Sequence, residues 1–582
     1  MKINNIKLTL FILLSVLAGT FSSCKRTEIE PRDLNTEDII WDETDQLGRK
    51  AEAYFNNIYT YLPNGFNRVG GDFLDAASGD AIPSRNNTSI ENYTNGRLSD
   101  ITNPDAYWGQ SYSGIRHVNI FLANIDKVPV ADAIKVPWKA EVRFIRAFLY
   151  FELLKRYGGV PLIGDKVFTL NDNMELSRNT VEETVNYITS ECDAIKNDLK
   201  TDPIIDNLVG RITKGAALAL KCRTYLYAAS PLLNGGAVTN YTGAQALKTA
   251  GITSYPVQDD TRWQKVIQAA EEFFAYSTYF VIPTSNNPAY YTIFTNKKNA
   301  EVILAKQVAN NFDLEINNSP VSYINNNTAA QGRTSPTQSF VDAFPTNTGL
   351  AISETGSGYN AANPYANRDP RLAATVFYNG LTWFKRGVET FEGGLDKKND
   401  PIAQPVQTKT GYYLRKFMGD FSNSTSFSNQ SHNFILFRLA EVILNYAEAL
   451  NEVNRVEDAV TQLIKIRRRA GITAGVANRY GIKAGITQSE LRDLIRNERR
   501  IELAFEEHRF WDVRRWKIGS SAISGPVYGT KITKNANGTY SYEKVQVGNM
   551  VFEEKQYLLP IPYDEIVKDG NLKQNPGWSE FN

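Results

Sequence analysis

A mostly α-helical scaffold of packed hairpins, interrupted by one large loop-rich insertion and closed by a small β-hairpin, is the fold this sequence predicts. Three observations carry it. Apolar residues recur at helical spacing towards both ends of the chain, the segment 283–432 loses that periodicity, and 529–554 alternates apolar and polar residues about Asn537 and Gly538.

The chain opens with Lys2 and Lys7, an apolar run over 8–18, and small polar residues ending at Ser22, Ser23 and Cys24. That is the layout of a secretory leader. The run is about 11 residues, whereas a helix crossing a bilayer needs about 20, and no later stretch is long and apolar enough. Residues 1–23 are therefore read as a signal peptide and 24–582 as one domain. Within it the helical scaffold covers about 34–282 and 433–520, the insertion about 283–432, and the hairpin with its tail 521–582. Small residues directly before Cys24 look like a bacterial lipobox, with Phe21 where leucine is usual, so Cys24 is the expected lipidation site. Two or three acyl chains on one residue anchor a protein stably where a single chain does not. The bland alternative is an ordinary cleavage site beside a chance cysteine.

Leu47, Ala51, Tyr54, Ile58 and Leu62 share one helical face and predict a first helix over 47–62. Trp108, Tyr112, Ile115, Val118 and Leu122 predict the next, and 136–157 a long third that stops at Gly158 and Gly159 before Pro161. In a fourth, over 181–199, Val181, Val185, Ile188, Cys192, Ile195 and Leu199 alternate steps of four and three, which marks one buried face. Two more span 213–229 and 262–276. Beyond the insertion, 434–452 and 457–470 read as a helical pair, and 489–516 as a continuing helix. Tyr446, Ala447, Glu448, Ala449 and Leu450, followed by a second helix, resemble a tetratricopeptide hairpin, in which small alanines let two helices approach closely. Other pairs are more degenerate, so a packed set of such hairpins is expected rather than a long regular solenoid.

Lysine and arginine total 64 against 63 acidic residues, and without Lys2 and Lys7 the mature net charge is near −1. Nothing in that balance calls for nucleic acid. His117, His432, His508, Cys192 and Cys222 have no metal-ligand spacing, and neither a phosphate loop nor a nucleophile elbow is present, so no metal or cofactor is expected. Cys192 and Cys222 fall on apolar positions of helical patterns and read as buried free thiols, with a disulfide the alternative.

Several segments carry a family resemblance. Arg146 to Leu162 resembles the SusD/RagB helix that ends in a Tyr-Gly-x-Val-Pro-Leu turn, and 210–221 the family's Gly-Arg-x-x-Lys-x-Ala-Ala helix. Arg368, Asp369, Pro370 and Arg371 match its Arg-Asp-Pro-Arg turn, 438–450 and 497–512 two later helices, and 559–562 with 574–577 its closing motifs. Asp569 and Gly570 depart from the family's usual Asn-Pro at a turn. These segments span nearly the whole mature chain. The resemblance implies a tetratricopeptide-like scaffold and an outer-membrane lipoprotein facing the cell exterior. It also implies a TonB-dependent transporter of the SusC/RagA type as partner, over which the protein sits as a lid. Its ligand would be an oligosaccharide or, as in RagB-like members, an oligopeptide. A surface glycoside hydrolase is the reading from another class.

Binding a sugar needs an aromatic face for its C–H surface, and amides, carboxylates or guanidinium groups for its hydroxyls. Segment 70–108 supplies Asp72, Asp75, Asp80, Arg85, Asn86, Tyr107 and Trp108. Trp108 opens an amphipathic helix, so a core role and a stacking role both fit. In the insertion, Tyr290, Tyr291, Tyr323, Tyr359 and Trp383 stand among polar residues, which predicts exposure, although rings also pin loops down. The ligand-binding candidates are Asp80, Arg85, Asn86, Tyr107, Trp108, Tyr290, Tyr291, Tyr359 and Trp383. No catalytic residue is among them. Glu498, Glu502, Glu506 and Glu507 invite a glycosidase reading. Their neighbours Arg499, Arg500 and Arg509 instead suggest ion pairs along a helix, and two acids on one helix cannot flank a sugar from opposite sides. Arg368, Asp369 and Arg371 read as a structural turn.

Overall fold

The computed structural model describes residues 37–579, apart from 277, 283–288, 324–329, 385, 399–405, 420–426 and 428. The segment 1–23, read above as a signal peptide, and the expected lipidation site Cys24 lie outside the described residues.

Ten helices of eight residues or more are described. They are α1 (Arg49–Ile58), α2 (Trp108–Asn124), α3 (Asp132–Tyr157), α4 (Val181–Ile195) and α5 (Lys214–Ala229), then α6 (Arg262–Tyr276), α7 (Leu439–Glu452), α8 (Val456–Ala470), α9 (Gln488–Glu502) and α10 (His508–Arg515). Their local causes are visible in the residues. Thr180 and Glu183 form a reciprocal capping box that starts α4, and all six members of its apolar stripe are buried. Helix α3 stops at Gly158, and a Cβ on Gly159 would lie 2.0 Å from the Asn179 carbonyl oxygen, so the chain can pass there only as glycine. At α1 the apolar pattern overreaches, because Leu47 is exposed and the last turn tightens to a 3-10 turn over Tyr59–Tyr61.

Helices α2 to α6 pack each on the next, α6 packs on α7, and α7 on both α8 and α9. The insertion thus leaves and re-enters between neighbouring helices. Ala447 and Ala449 of α7 are fully buried, as close helix approach requires. Short strands tie the insertion to both parts of the scaffold. Strand β1 (Ala81–Pro83) pairs antiparallel with β3 (Thr334–Pro336), and β2 (Val302–Lys306) with β4 (Phe434–Arg438). Near the C-terminus β5 (Gly525–Lys534) and β6 (Tyr540–Met550) form the hairpin, longer at its start than its alternation indicates and turning through Asn535 to Thr539. Cys192 and Cys222 are free and buried.

Two helical expectations are corrected. Residues 434–438 are strand, not the start of a helix. Phe434, Ile435, Leu436 and Phe437 are all buried, and an unbroken apolar run suits a buried strand as well as a buried helix. The continuous helix over 489–516 breaks between Glu502 and His508, where Phe505 and Glu507 adopt positive φ of 59° and 62°.

That break redirects the acidic cluster, and the pairing is not along one helix but between elements. Arg438 at the end of β4 donates to Glu301 at 2.9 Å, to Glu502 at 2.7 Å and to Glu506 at 2.7 Å. Arg371 reaches Glu498 at 2.7 Å and Glu502 at 2.8 Å, Arg469 reaches Glu301 at 2.9 Å, and Lys416 reaches Glu506 at 2.7 Å. Every one of these side chains is buried. Burial alone would raise the Glu502 carboxyl, but the guanidinium groups of Arg469, Arg438 and Arg371 outweigh it and hold it well below the usual carboxylate range. The network joins insertion, strand and helices, and every carboxylate in it is engaged by a cation.

Candidate functional site

The loop after Val69 turns back at once: Val69 and Asp72 bridge across Gly70 and Gly71, which both have positive φ. It then runs through a helical turn over Leu74–Ala77 into β1, whose partner β3 brings Arg333 alongside. A Cβ on Gly71 would sit 1.8 Å from Arg333 Nη1 and 3.0 Å from Arg85 Nη2, so two guanidinium groups converge where only glycine leaves room. Arg85 donates to the Gly70 carbonyl at 3.1 Å, and Arg333 to the Gly71 carbonyl at 3.2 Å and to Gln331 at 2.6 Å. Lys409 completes the group, donating to the Arg85 carbonyl at 3.2 Å and to Asn86 Oδ1 at 2.7 Å. Arg85 is 30% exposed, Arg333 and Lys409 are half-buried, and Asn86 is exposed.

Beneath these cations lies Asp72, fully buried, with neither carboxylate oxygen hydrogen-bonded within the described structure. Its nearest cation is Arg85, at 3.9 Å. Burial pushes its carboxyl up to about 7 against the pull of Arg85 and Arg333. The result is a polar surface, open to solvent through Arg85 and Asn86, with guanidinium, ammonium and amide groups poised over an unsatisfied carboxyl.

The other candidates are distributed differently. Asp80 is buried and accepts from Arg500 at 2.7 Å, so it ties the loop to α9 and cannot read hydroxyls. Asp75 is also buried, accepts the Phe505 N–H at 3.1 Å, and is pushed up to about 8 by burial and by Asp80. The exposure expected of the insertion's rings is corrected for Tyr290, Tyr323 and Trp383, and of the two roles open to Trp108 the structure takes the core one. Tyr107 lies beneath the Arg156 guanidinium, and Trp108 packs on Tyr112 and Tyr157, both rings buried in the core. Tyr290 is buried with its hydroxyl on the Glu502 carbonyl at 2.9 Å. Trp383 is 2% exposed and packs among Tyr323, Phe377 and Phe384. In each case a ring amid polar sequence is used to pin a loop to the core. Tyr291 is half-buried, with its hydroxyl on the Met418 carbonyl, and Tyr359 is half-buried beneath Arg368.

Of the nine candidates, therefore, Arg85 and Asn86 meet at one surface, and their partners Arg333 and Lys409 escape sequence reasoning. Each stands in a polar stretch without spacing or periodicity, and only strand pairing and chain crossing bring it to the loop. Two hollows lie elsewhere. One, of about 580 Å³, has mainly apolar walls including Trp108, Phe168 and Met174. The other, of about 500 Å³, is polar, but its Glu448 and Glu452 are already held by Arg515 and Arg492. Among the described residues no group of side chains is arranged to hold a metal ion.

The family model described as "SusD family" matches residues 293–578, and one described as "Starch-binding associating with outer membrane" matches 50–226. SusD-like protein P2 of Formosa agariphila is 25% identical over 584 residues, spanning 98% of this chain and 99% of that protein. A SusD-like protein of Bacteroides fragilis has a solved structure with TM-score 0.73 and 27% identity, covering 93% of this chain and 99% of its own. A second from that species, titled a SusD-like carbohydrate binding protein, has TM-score 0.71 at 22% identity, covers 92% and 100%, and bears on the fold. Fold and surface define a scaffold of helical hairpins that displays a loop-built polar surface. With the two family models matching both parts of the scaffold, the chain belongs to the SusD/RagB family.

Proposed function

We propose that this protein is an outer-membrane surface lipoprotein that binds oligosaccharide on the Arg85–Arg333 surface and passes it to a SusC-like TonB-dependent transporter. The observation that carries the binding step is the convergence of Arg85, Arg333, Lys409 and Asn86 over the unsatisfied carboxyl of Asp72. Clustered planar donors with an amide beside them suit the hydroxyls and ring oxygens of a sugar. The solved relative titled carbohydrate binding supports the same reading. Binding without hydrolysis is supported by the fate of Glu498, Glu502 and Glu506, which are buried and paired with cations rather than set across a cleft.

The test is an oligosaccharide array followed by calorimetry. Arg85→Ala and Arg333→Ala are each expected to weaken binding of the selected saccharide about 10- to 100-fold, the scale of a lost hydrogen bond to a charged group, with the melting temperature within about 2 °C of wild type. Trp383→Ala, which opens a cavity in the core, should instead lower the melting temperature. Unchanged affinity in both arginine variants, or release of reducing ends from the saccharide, contradicts the reading.

A further inference from the structure

Resting on that reading of the surface, we infer that the saccharide it selects is anionic, bearing carboxylate or sulfate groups. The reason is an imbalance of charge that the protein does not itself resolve. In the core, Arg371, Arg438 and Arg469 each touch a carboxylate within 3 Å, and the buried arginines that touch none, such as Arg368 and Arg514, stand singly on backbone carbonyls rather than converging with other cations. At the Gly71 turn, Arg333 and Lys409 pair with no carboxylate among the described residues, and Arg85 has only Asp72 at 3.9 Å. Their hydrogen bonds go to neutral acceptors, namely the carbonyls of Gly70, Gly71 and Arg85, the amide of Gln331 and that of Asn86.

Two acids face the group, so at most two carboxylates stand against three cations. Glu91 accepts the Thr88 N–H at 2.9 Å in the capping box of the following helical turn, and among the described residues it makes no ion pair with any of the three cations. Asp72, pushed up to about 7 by burial, carries only part of a charge at neutral pH. The cations also act against one another. Burial lowers the Arg333 guanidinium and the Arg85 charge lowers it further against the pull of Asp72, while burial lowers the Lys409 ammonium against the pull of Glu91 and Asp72. Like charges held together in a half-buried site favour an anion that would neutralise them, and a guanidinium presents two parallel N–H groups that match a carboxylate or sulfate edge. A neutral sugar would use the same donors but leave the repulsion in place. The convergence is built into the backbone, since Gly71 admits both guanidinium groups and β1–β3 pairing fixes Arg333 opposite the loop.

The test compares matched probes by calorimetry on the whole mature protein: oligogalacturonides for carboxylate, carrageenan oligosaccharides for sulfate ester, and malto- and laminari-oligosaccharides as neutral controls. One anionic series should bind at least 10-fold more tightly than either neutral series. That preference should shrink several-fold between 50 and 500 mM NaCl, as screening requires. Arg333→Gln keeps amide donors without the charge and should remove most of the preference, while Arg333→Lys should restore part of it. Which anionic series wins identifies the charged group. Equal or tighter binding of a neutral series, or a preference untouched by Arg333→Gln, overturns the anionic assignment and leaves the saccharide reading standing. Binding of none of the four series overturns the saccharide reading and this inference together.

Discussion

Arg438→Ala should destabilise the protein by about 3–5 kcal/mol, the scale of breaking a buried charge network by removing one partner. The guanidinium of Arg438 contacts Glu301 of the insertion, Glu502 at the end of α9 and Glu506 in the break that follows, all within 2.9 Å and all buried. Without it, Arg371, Arg469 and Lys416 remain to hold carboxylates no longer fully compensated, and the junction of insertion, β4 and α9 loses its common tie. Arg438→Lys keeps the charge but loses the planar fork, and should fall between the two. Urea unfolding monitored by circular dichroism measures the difference, and a loss under 1 kcal/mol would contradict this role. The same network gives a pH signature. Glu498, Glu502 and Glu506 are held below their ordinary range by neighbouring cations against the pull of burial. Their stabilisation is therefore complete above the pKa of an unfolded glutamate, about 4.3, and lost as pH falls through the lower folded values.

Cys24→Ala should move the mature protein from the outer-membrane fraction to the soluble one almost completely. The leader's apolar run is too short to remain as a span, and no described helix is long and apolar enough to cross a membrane. On the proposed reading anchorage rests on acyl chains at Cys24, two or more of which hold where a single one does not. Fractionation belongs in a strain lacking the proposed partner transporter, so that docking cannot stand in for the lipid. Retention of the alanine variant after a salt wash would refute the anchor.

Helical elements were the most legible part of the fold, because a stripe such as Val181 to Leu199 has a single physical solution. Legibility failed where one pattern has two solutions. The apolar run of Phe434 to Phe437 reads equally as buried helix or buried strand, and its strand character depends on β2, more than a hundred residues away. The charged run after Glu502 looks helical throughout, yet Phe505 and Glu507 take left-handed conformations that aim Glu506 at Arg438 and Glu507 at Arg68. At the candidate surface, Arg85 and Asn86 could be picked out because they stand in a polar loop near acids and rings. Arg333 and Lys409 could not, since neither lies near that loop in sequence. The aromatic candidates misled for a related reason: a ring in a polar stretch can be a platform or a pin, and Tyr290 and Trp383 are pins, with their polar atoms bonded to the Glu502 and Gly419 carbonyls.

Hydrogen–deuterium exchange of the mature protein, with and without a saturating oligosaccharide from the array, tests most directly whether the ligand sits where the cations converge. Slowed exchange is predicted in the loop 70–88 and around Gln331 to Arg333, with the apolar hollow near Phe168 and the polar one near Trp516 unchanged. Protection confined to either hollow, with the Gly70–Gly71 loop and Arg333 unaffected, would contradict the assignment of the binding surface.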